Sequence, residues 1–313
     1  MRHTAAASAG LVVMWSSGFV GARLGTAHAA ADTLLAWRYV VVAVLVGLVL
    51  AVRRPRLTVF ELKRQALIGL LCQALYLAGV VTGVGLGVPA GIAALIAVMQ
   101  PLVVGALAGP VLGQEVRLRQ WAGLVTGLAA VAVVVAGDLG GGGHLLGYLL
   151  VVAGMLALSA GTLLERRWAM ETAPFDQLTI HCLTSCAVFV VATAATGRLA
   201  PPMTPGFWWA VVWVVVLSTF GGYGCYLLVL RALGATGAST LLFLTPPTTM
   251  VWALLMFGDP ITWTTLVGLA GCAAAVWLVL ARPGKVRWIR SSRHDSSTRR
   301  GGAVSPSRPS AKV

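Results

Sequence analysis

The stretch AGIAALIAVMQPLVVGALAGPVLG, residues 90–113, and its counterpart ATGASTLLFLTPPTTMVWALLMFG, residues 235–258, decide how this chain folds. Each is an apolar run long enough to cross a bilayer, which takes roughly 20 residues as a helix. Each carries a proline near its middle and ends on glycine. Ala90, Ala93, Pro101, Ala108 and Gly113 recur as Ala235, Ala238, Pro246, Ala253 and Gly258, 145 residues later. The echo continues on both sides: Gly79, Gly123, Leu124, Ala129 and Ala130 return as Gly224, Gly268, Leu269, Ala274 and Ala275 at the same offset. Nearer the start of each copy the offset is 143, with Ser16, Gly18 and Arg23 matching Ser159, Gly161 and Arg166, so a two-residue insertion or deletion separates the halves. The chain reads as a duplicated membrane protein.

Around these two runs lie eight more of similar length. The ten expected spans are 7–25, 33–52, 65–84, 89–112, 121–137, 146–164, 177–196, 207–230, 236–257 and 262–281. A composition of 58% hydrophobic and 10% charged residues, with mean hydropathy +0.88, could not be hidden in one water-soluble core. The runs do not alternate with period two, which excludes a barrel. The expected fold is therefore all-α and integral to the membrane, with a first repeat at 1–137, an outer loop at 138–145, a second repeat at 146–281 and a basic tail at 282–313. Five helices per copy is an odd number, so the copies sit upside down relative to one another. Two inverted halves enclosing a site near the midplane are the plan of a secondary transporter.

Lys and Arg collect on the cytoplasmic side of membrane proteins. With the N-terminus inside, the inner segments hold 20 of the 23 basic residues, leaving Arg23, Arg38 and Arg198 for the outer half. Both termini are expected to be cytoplasmic, at the plasma membrane. From Arg282 the sequence turns to Arg, Ser, Pro and Lys, a composition too poor in apolar residues to pack, so the tail is expected to be disordered. Its nine basic residues face one acid, Asp295, and suit a topology determinant that lies against anionic lipid. Nucleic acid is not expected as a partner, since no aromatic platform accompanies the charge.

Cys72, Cys182, Cys186, Cys225 and Cys272 all fall within spans, and neither a disulfide nor a metal site is assigned to them. The small residues at the N-terminus precede the first apolar run rather than follow it, which favours an uncleaved first helix over a signal peptide. Trp208, Trp209, Trp213, Trp263 and Trp277 are expected as interface anchors on the lipid side. With nine acidic residues in all and no paired-acid, HExxH or Ser/His/Asp arrangement, no catalytic residues and no cofactor are assigned.

Local motifs carry a family likeness. Met14-Trp15-Ser16-Ser17-Gly18-Phe19 opens the first helix and Leu35-Ala36-Trp37-Arg38-Tyr39 the second. Met99-Gln100-Pro101 runs through to Leu112-Gly113-Gln114-Glu115, and Leu244-Thr245-Pro246 through to Phe257-Gly258-Asp259. Together these resemble the drug/metabolite transporter superfamily and, within it, the ten-helix EamA-type permeases, over residues 9–281. The resemblance implies export of amino acids or related metabolites. Two departures stand out: Gln114 takes the acidic slot of the first copy, and Asp259 replaces Glu in the second.

An ionisable group within hydrocarbon needs a reason to be there. Arg38 either snorkels to the headgroups or faces a cavity between the repeats, where its planar fork could hold a carboxylate or phosphate. Glu165 is either a solvated helix end beside Arg166 and Arg167 or a proton carrier. His181 is either hydrogen-bonded to a neighbouring helix or a titrating group. Trp15, Ser16, Gln73, Tyr76, Gln100, Tyr223, Tyr226 and Thr245, with Ser17 and Ser159, are the neutral candidates for lining such a cavity. Pro101 and Pro246 are the candidate hinges, because each interrupts a helix ladder. Helices one to four of each copy should enclose the site, with five and ten bracing them. The function expected is alternating-access movement of a small organic zwitterion or anion, driven by a proton or counter-solute, in a chain that could pair as a homodimer. The alternatives are a non-transporting scaffold or enzyme on the same fold, or a metabolite exchanger of another branch.

Overall fold

The computed structural model describes residues 2–53, 58–116, 118–140, 144–170 and 172–280; the expectations for the tail at 282–313 fall outside them. Ten helical spans run in order: α1 (Arg2–Thr26), α2 (Ala31–Arg53), α3 (Val59–Gly85), α4 (Ala90–Leu112), α5 (Leu118–Gly140), α6 (Leu145–Trp168), α7 (Pro174–Ala195), α8 (Pro205–Gly234), α9 (Gly237–Phe257) and α10 (Trp263–Leu280). Among the described residues nine of these are long and apolar enough to cross a membrane, the tenth, Trp263–Val279, is a shorter apolar helix, and no strand occurs. Several boundaries differ from expectation by a few residues, and two of the differences have a visible cause or contact. α3 starts at Val59, where Thr58 and Glu61 form a reciprocal capping box that satisfies the first amides. α5 continues to Gly140, so Asp138 is helical and accepts from the Tyr148 hydroxyl at 2.5 Å.

Two interruptions of the helices recur at about the 145-residue offset. α3 carries a π segment at Leu70–Leu75 and α8 one at Val214–Gly222. α4 breaks at Val98–Met99 and α9 at Phe243–Leu244, where tightened bonds from Met99 N to Ile96 O (3.1 Å) and Leu244 N to Leu241 O (3.0 Å) end the first half. Both breaks lie just before the prolines. Pro101 and Pro246 then sit in the first turn of the second half, where a missing N–H is tolerated. Each second half ends on a left-handed glycine, Gly113 (φ 68°) and Gly258 (φ 70°).

The packing is exchanged between the halves: α1 lies on α8 and α9, α6 on α3 and α4, α2 on α7, and α5 on α10. Water does not drive helices together in a bilayer, so close approach through small residues matters most. A Cβ at Gly79 would stand 2.3 Å from the Leu150 carbonyl oxygen, and one at Gly83 2.6 Å from that of Gly147. α3 and α6 therefore touch backbone to backbone. Trp208 and Trp213 depart from the lipid-facing expectation. Trp208 packs edge-on against Trp37 and Phe207, and Trp213 donates its Nε1 to the Ser17 carbonyl at 3.0 Å, whereas Trp209, Trp263 and Trp277 are exposed.

Gly79 and its echo Gly224 provide a matched test, because nothing lies within 4 Å of a Cβ built at Gly224. Gly79→Ala should destabilise the protein by about 1–3 kcal/mol through backbone displacement. Gly224→Ala should leave the thermal midpoint in detergent unchanged, and equal midpoints for the two variants would contradict this account of the α3–α6 contact.

Candidate functional site

Six helices enclose a cavity of about 390 Å³: α1, α2, α3, α6, α7 and α8. α4 and α9 do not reach it, contrary to expectation. Their broken halves pack behind α6 and α1 instead. The π segments shape the walls. Gln73 lies in the α3 segment, and Ser218 and Thr219 lie in that of α8, with Ser218 at the position that echoes Gln73. Such segments widen the helix and turn side chains that a regular ladder would direct elsewhere.

Arg38 is the cationic centre of the cavity. It is 6% exposed, so its head is held inside the protein rather than snorkelled to the surface. Its Nε and Nη2 donate to Thr219 Oγ1 at 3.2 and 2.9 Å, and Nη2 reaches Ser218 Oγ at 3.5 Å. The Tyr39 ring centroid is 5.4 Å from the guanidinium carbon. Two ion pairs occur among the described residues, Arg23 with Asp259 and Arg198 with Asp32, and neither involves Arg38. Gly18 makes room for this arrangement, since a Cβ there would be 2.6 Å from Ser218 Oγ.

Arg38 and Glu165 lie at different depths. Arg38 is seven residues into α2 and Glu165 twenty residues into α6, and both helices start from the same face. At 1.5 Å per residue they lie ~10 and ~30 Å from that face. Around Arg38 the wall is closed by buried Phe19, Tyr39, Val80, Val81 and Thr219. Around Glu165 it consists of half-buried Gln177, Tyr223 and Leu230 with exposed Pro174, so the cavity opens at this end. Glu165 accepts from Gln177 Nε2, and the Tyr223 hydroxyl donates to the Pro174 carbonyl at 2.9 Å. His181 lines the cavity and lies 3.1 Å from Gln65 Oε1 through Nε2.

Of the residues singled out from the sequence, Trp15, Arg38, Gln73, Tyr76, Glu165, His181, Tyr223 and Tyr226 meet in this one space. Ser16, Gln100 and Thr245 do not. Ser16 is fully buried between α1 and α9, where its hydroxyl donates to Val12 O at 2.7 Å and Thr245 O at 3.3 Å. Gln100 points at α6 and donates to Thr162 Oγ1 at 3.0 Å. Gln100 and Thr245, an echo pair, thus tie the two helix breaks to neighbouring helices. Ser17 and Ser159 bond to their own helices. Asp32 lies in the first turn of α2 and meets Arg198 at 3.8 Å rather than Arg38. The residues not anticipated are Tyr39, Cys72, Gln177, Ser218 and Thr219. One was within reach of the repeat: an offset of 145 from Gln73 leads to Ser218, just as 143 from Arg38 leads to the anticipated His181.

The comparisons with known proteins agree with this architecture. Sixteen chains of solved structures match. One, described only as the crystal structure of a protein, superposes with TM-score 0.60 and 17% identity over 90% of this chain and 97% of its own, a likeness that shows the fold. No curated protein matches the chain. The profile of the EamA-like transporter family matches twice, over residues 5–136 and 145–281. Ten apolar helices, six of them around a hollow that holds an arginine, with two matches covering nearly all of them, make the chain a multi-pass membrane protein that belongs to the EamA-like transporter family of the drug/metabolite transporter superfamily.

Proposed function

We propose that the chain is a secondary transporter that carries a small organic anion or zwitterion, of the size and charge of an amino acid, out of the cell by alternating access. The observation that carries this reading is the guanidinium of Arg38. It sits in the closed end of a central cavity, held by two hydroxyls and an aromatic ring. A cation so placed, without a carboxylate beside it, binds an anionic group strongly, because charge-assisted forked hydrogen bonds are strongest where water is excluded. The cavity volume lies at the small-metabolite end of the usual ~300–1,000 Å³ range, and Trp15, Tyr76, Tyr223 and Tyr226 offer aromatic surface for the rest of the solute.

Orientation follows from charge. The open end of the cavity lies on the side that carries Arg53, Lys63, Arg64, Arg166 and Arg167, which the distribution of basic residues assigns to the cytoplasm. Both termini lie there, the membrane is the plasma membrane, and the basic tail rests on anionic lipid. The two five-helix halves, 1–137 and 146–281, are inverted repeats, and the breaks before Pro101 and Pro246 are where α4 and α9 flex. Glu165 at the mouth and His181 in the wall are the sites for a coupled proton, with a counter-solute as the other driving partner. A homodimer would leave the cavity within each protomer.

Counterflow in proteoliposomes, with candidates taken from metabolite profiling of cells with and without the protein, tests the function directly. Arg38→Ala should lower the rate at least about tenfold and Arg38→Lys less; full activity of Arg38→Ala would refute the site. Thr219→Val removes the hydroxyl that fixes the guanidinium and should raise KM by about tenfold, while Thr219→Ser retains normal binding. Glu165→Gln should abolish accumulation driven by a pH gradient and spare solute-for-solute exchange; an unchanged response to the gradient would remove Glu165 from the coupling.

A further inference from the structure

Away from the cavity, two helix ends that echo each other are in different states. α1 ends near Arg23, whose guanidinium bonds the Asp259 carboxylate and lies 4.3 Å from the Phe257 ring centroid. Asp259 is presented by the left-handed Gly258 (φ 70°, ψ 20°), and its N–H reaches back to Ala253 O at 3.4 Å. The first copy builds the same corner: Gly113 (φ 68°, ψ 23°) presents Gln114, whose N–H reaches Ala108 O at 3.4 Å. In α6, Arg166 occupies the place that Arg23 has in α1. Yet Arg166, Gln114 and Glu115 are exposed, and among the described residues no bond joins the arginine to the corner.

The made pair lies at the face opposite the cavity mouth, and the unmade pair lies at the mouth. A second hollow of about 600 Å³ abuts the made pair and is lined by Arg23, Asp259, Asp138, Thr262 and Thr265. The Arg23–Asp259 pair therefore lines a vestibule on the closed face. α6 already packs on α4 just as α1 packs on α9, so each arginine is carried by a helix adjacent to the corner it would engage.

We infer that Arg23 and Arg166 are reciprocal latches, a device that rests on the transporter reading above. Arg23 on Asp259 holds the far face shut while the cavity is open at Glu165. In the opposite state that pair parts, and Arg166 closes on Gln114, the counterpart of Asp259 in the first copy. The two latches differ in strength, because arginine against carboxylate is stronger than arginine against an amide. The substitution of Gln114 for an acid in the first copy biases the resting protein toward the state seen here, in which the cavity opens on one side only.

Cross-linking reads this without a known solute. A Gln114→Cys/Arg166→Cys protein in proteoliposomes should form little disulfide with a mild thiol oxidant, and adding Asp259→Asn should raise the yield by about threefold or more as the far latch weakens. The two single-cysteine proteins control for the native thiols. An Arg23→Cys/Asp259→Cys protein should cross-link readily and lose counterflow until reduced. A yield at Gln114/Arg166 unaffected by Asp259→Asn, in vesicles where the unmodified protein shows counterflow, overturns the latch alone. Absence of counterflow from the unmodified protein, with the cross-linking response intact, overturns the transporter reading and leaves the coupled motion standing.

Discussion

Hydrocarbon supplies neither donor nor acceptor, so every backbone amide at membrane depth must be satisfied by the protein itself. The consequences run through the whole structure. Interruptions of α4 and α9 are admissible only where they are enclosed, and each lies against the first helix of the other half. Their loose groups find partners there or in their own side chains: Ser16 and Thr249 hydroxyls donate to Thr245 O, and Thr248 donates to Leu244 O at 2.8 Å. Thr219 similarly caps Val214 O at 3.0 Å inside the π segment of α8. One hydroxyl thus both repairs an irregular backbone and receives the Arg38 guanidinium, so the irregularity and the site depend on the same atom.

The arginines illustrate two solutions to one electrostatic problem. Holding a guanidinium at membrane depth costs a few kcal/mol on insertion scales. Arg23 meets that cost with a carboxylate and an aromatic face. Arg38 has two hydroxyls and the Tyr39 ring around it, which orient the fork, and among the described residues no carboxylate pairs with it. The first arrangement suits a structural contact and the second suits a ligand.

The architecture was legible in the sequence because lipid makes a simple demand, an apolar run of fixed length, that hydropathy answers directly. The echoed prolines also pointed to the paired breaks. Side-chain direction was less legible. Arg38, Gln73 and Tyr223 were readable as cavity residues because polar groups in spans are few. Gln100 and Thr245 looked equally suitable, but Gln100 donates to the Thr162 hydroxyl on α6 and the Thr245 hydroxyl is buried away from the cavity without a hydrogen-bond partner. Ser218 and Thr219 were passed over because a hydroxyl in a membrane helix usually bonds its own backbone, and only the π segment turns these two toward Arg38. The prolines marked the breaks but not their position, because a proline fits best in the turn after an interruption.

The separation of the cavity wall from the rest of the bundle has a further implication. α5 and α10 join through Gly123, which faces Ala275 O, and through Gly268 and Gly271 against Val134 and Ala130, while their other faces expose Val125, Val133 and Trp277. None of these residues lines the cavity. The cavity wall and the α5–α10 seam are thus built from different residues on different helices, and a lineage could retune one by mutation while inheriting the other intact.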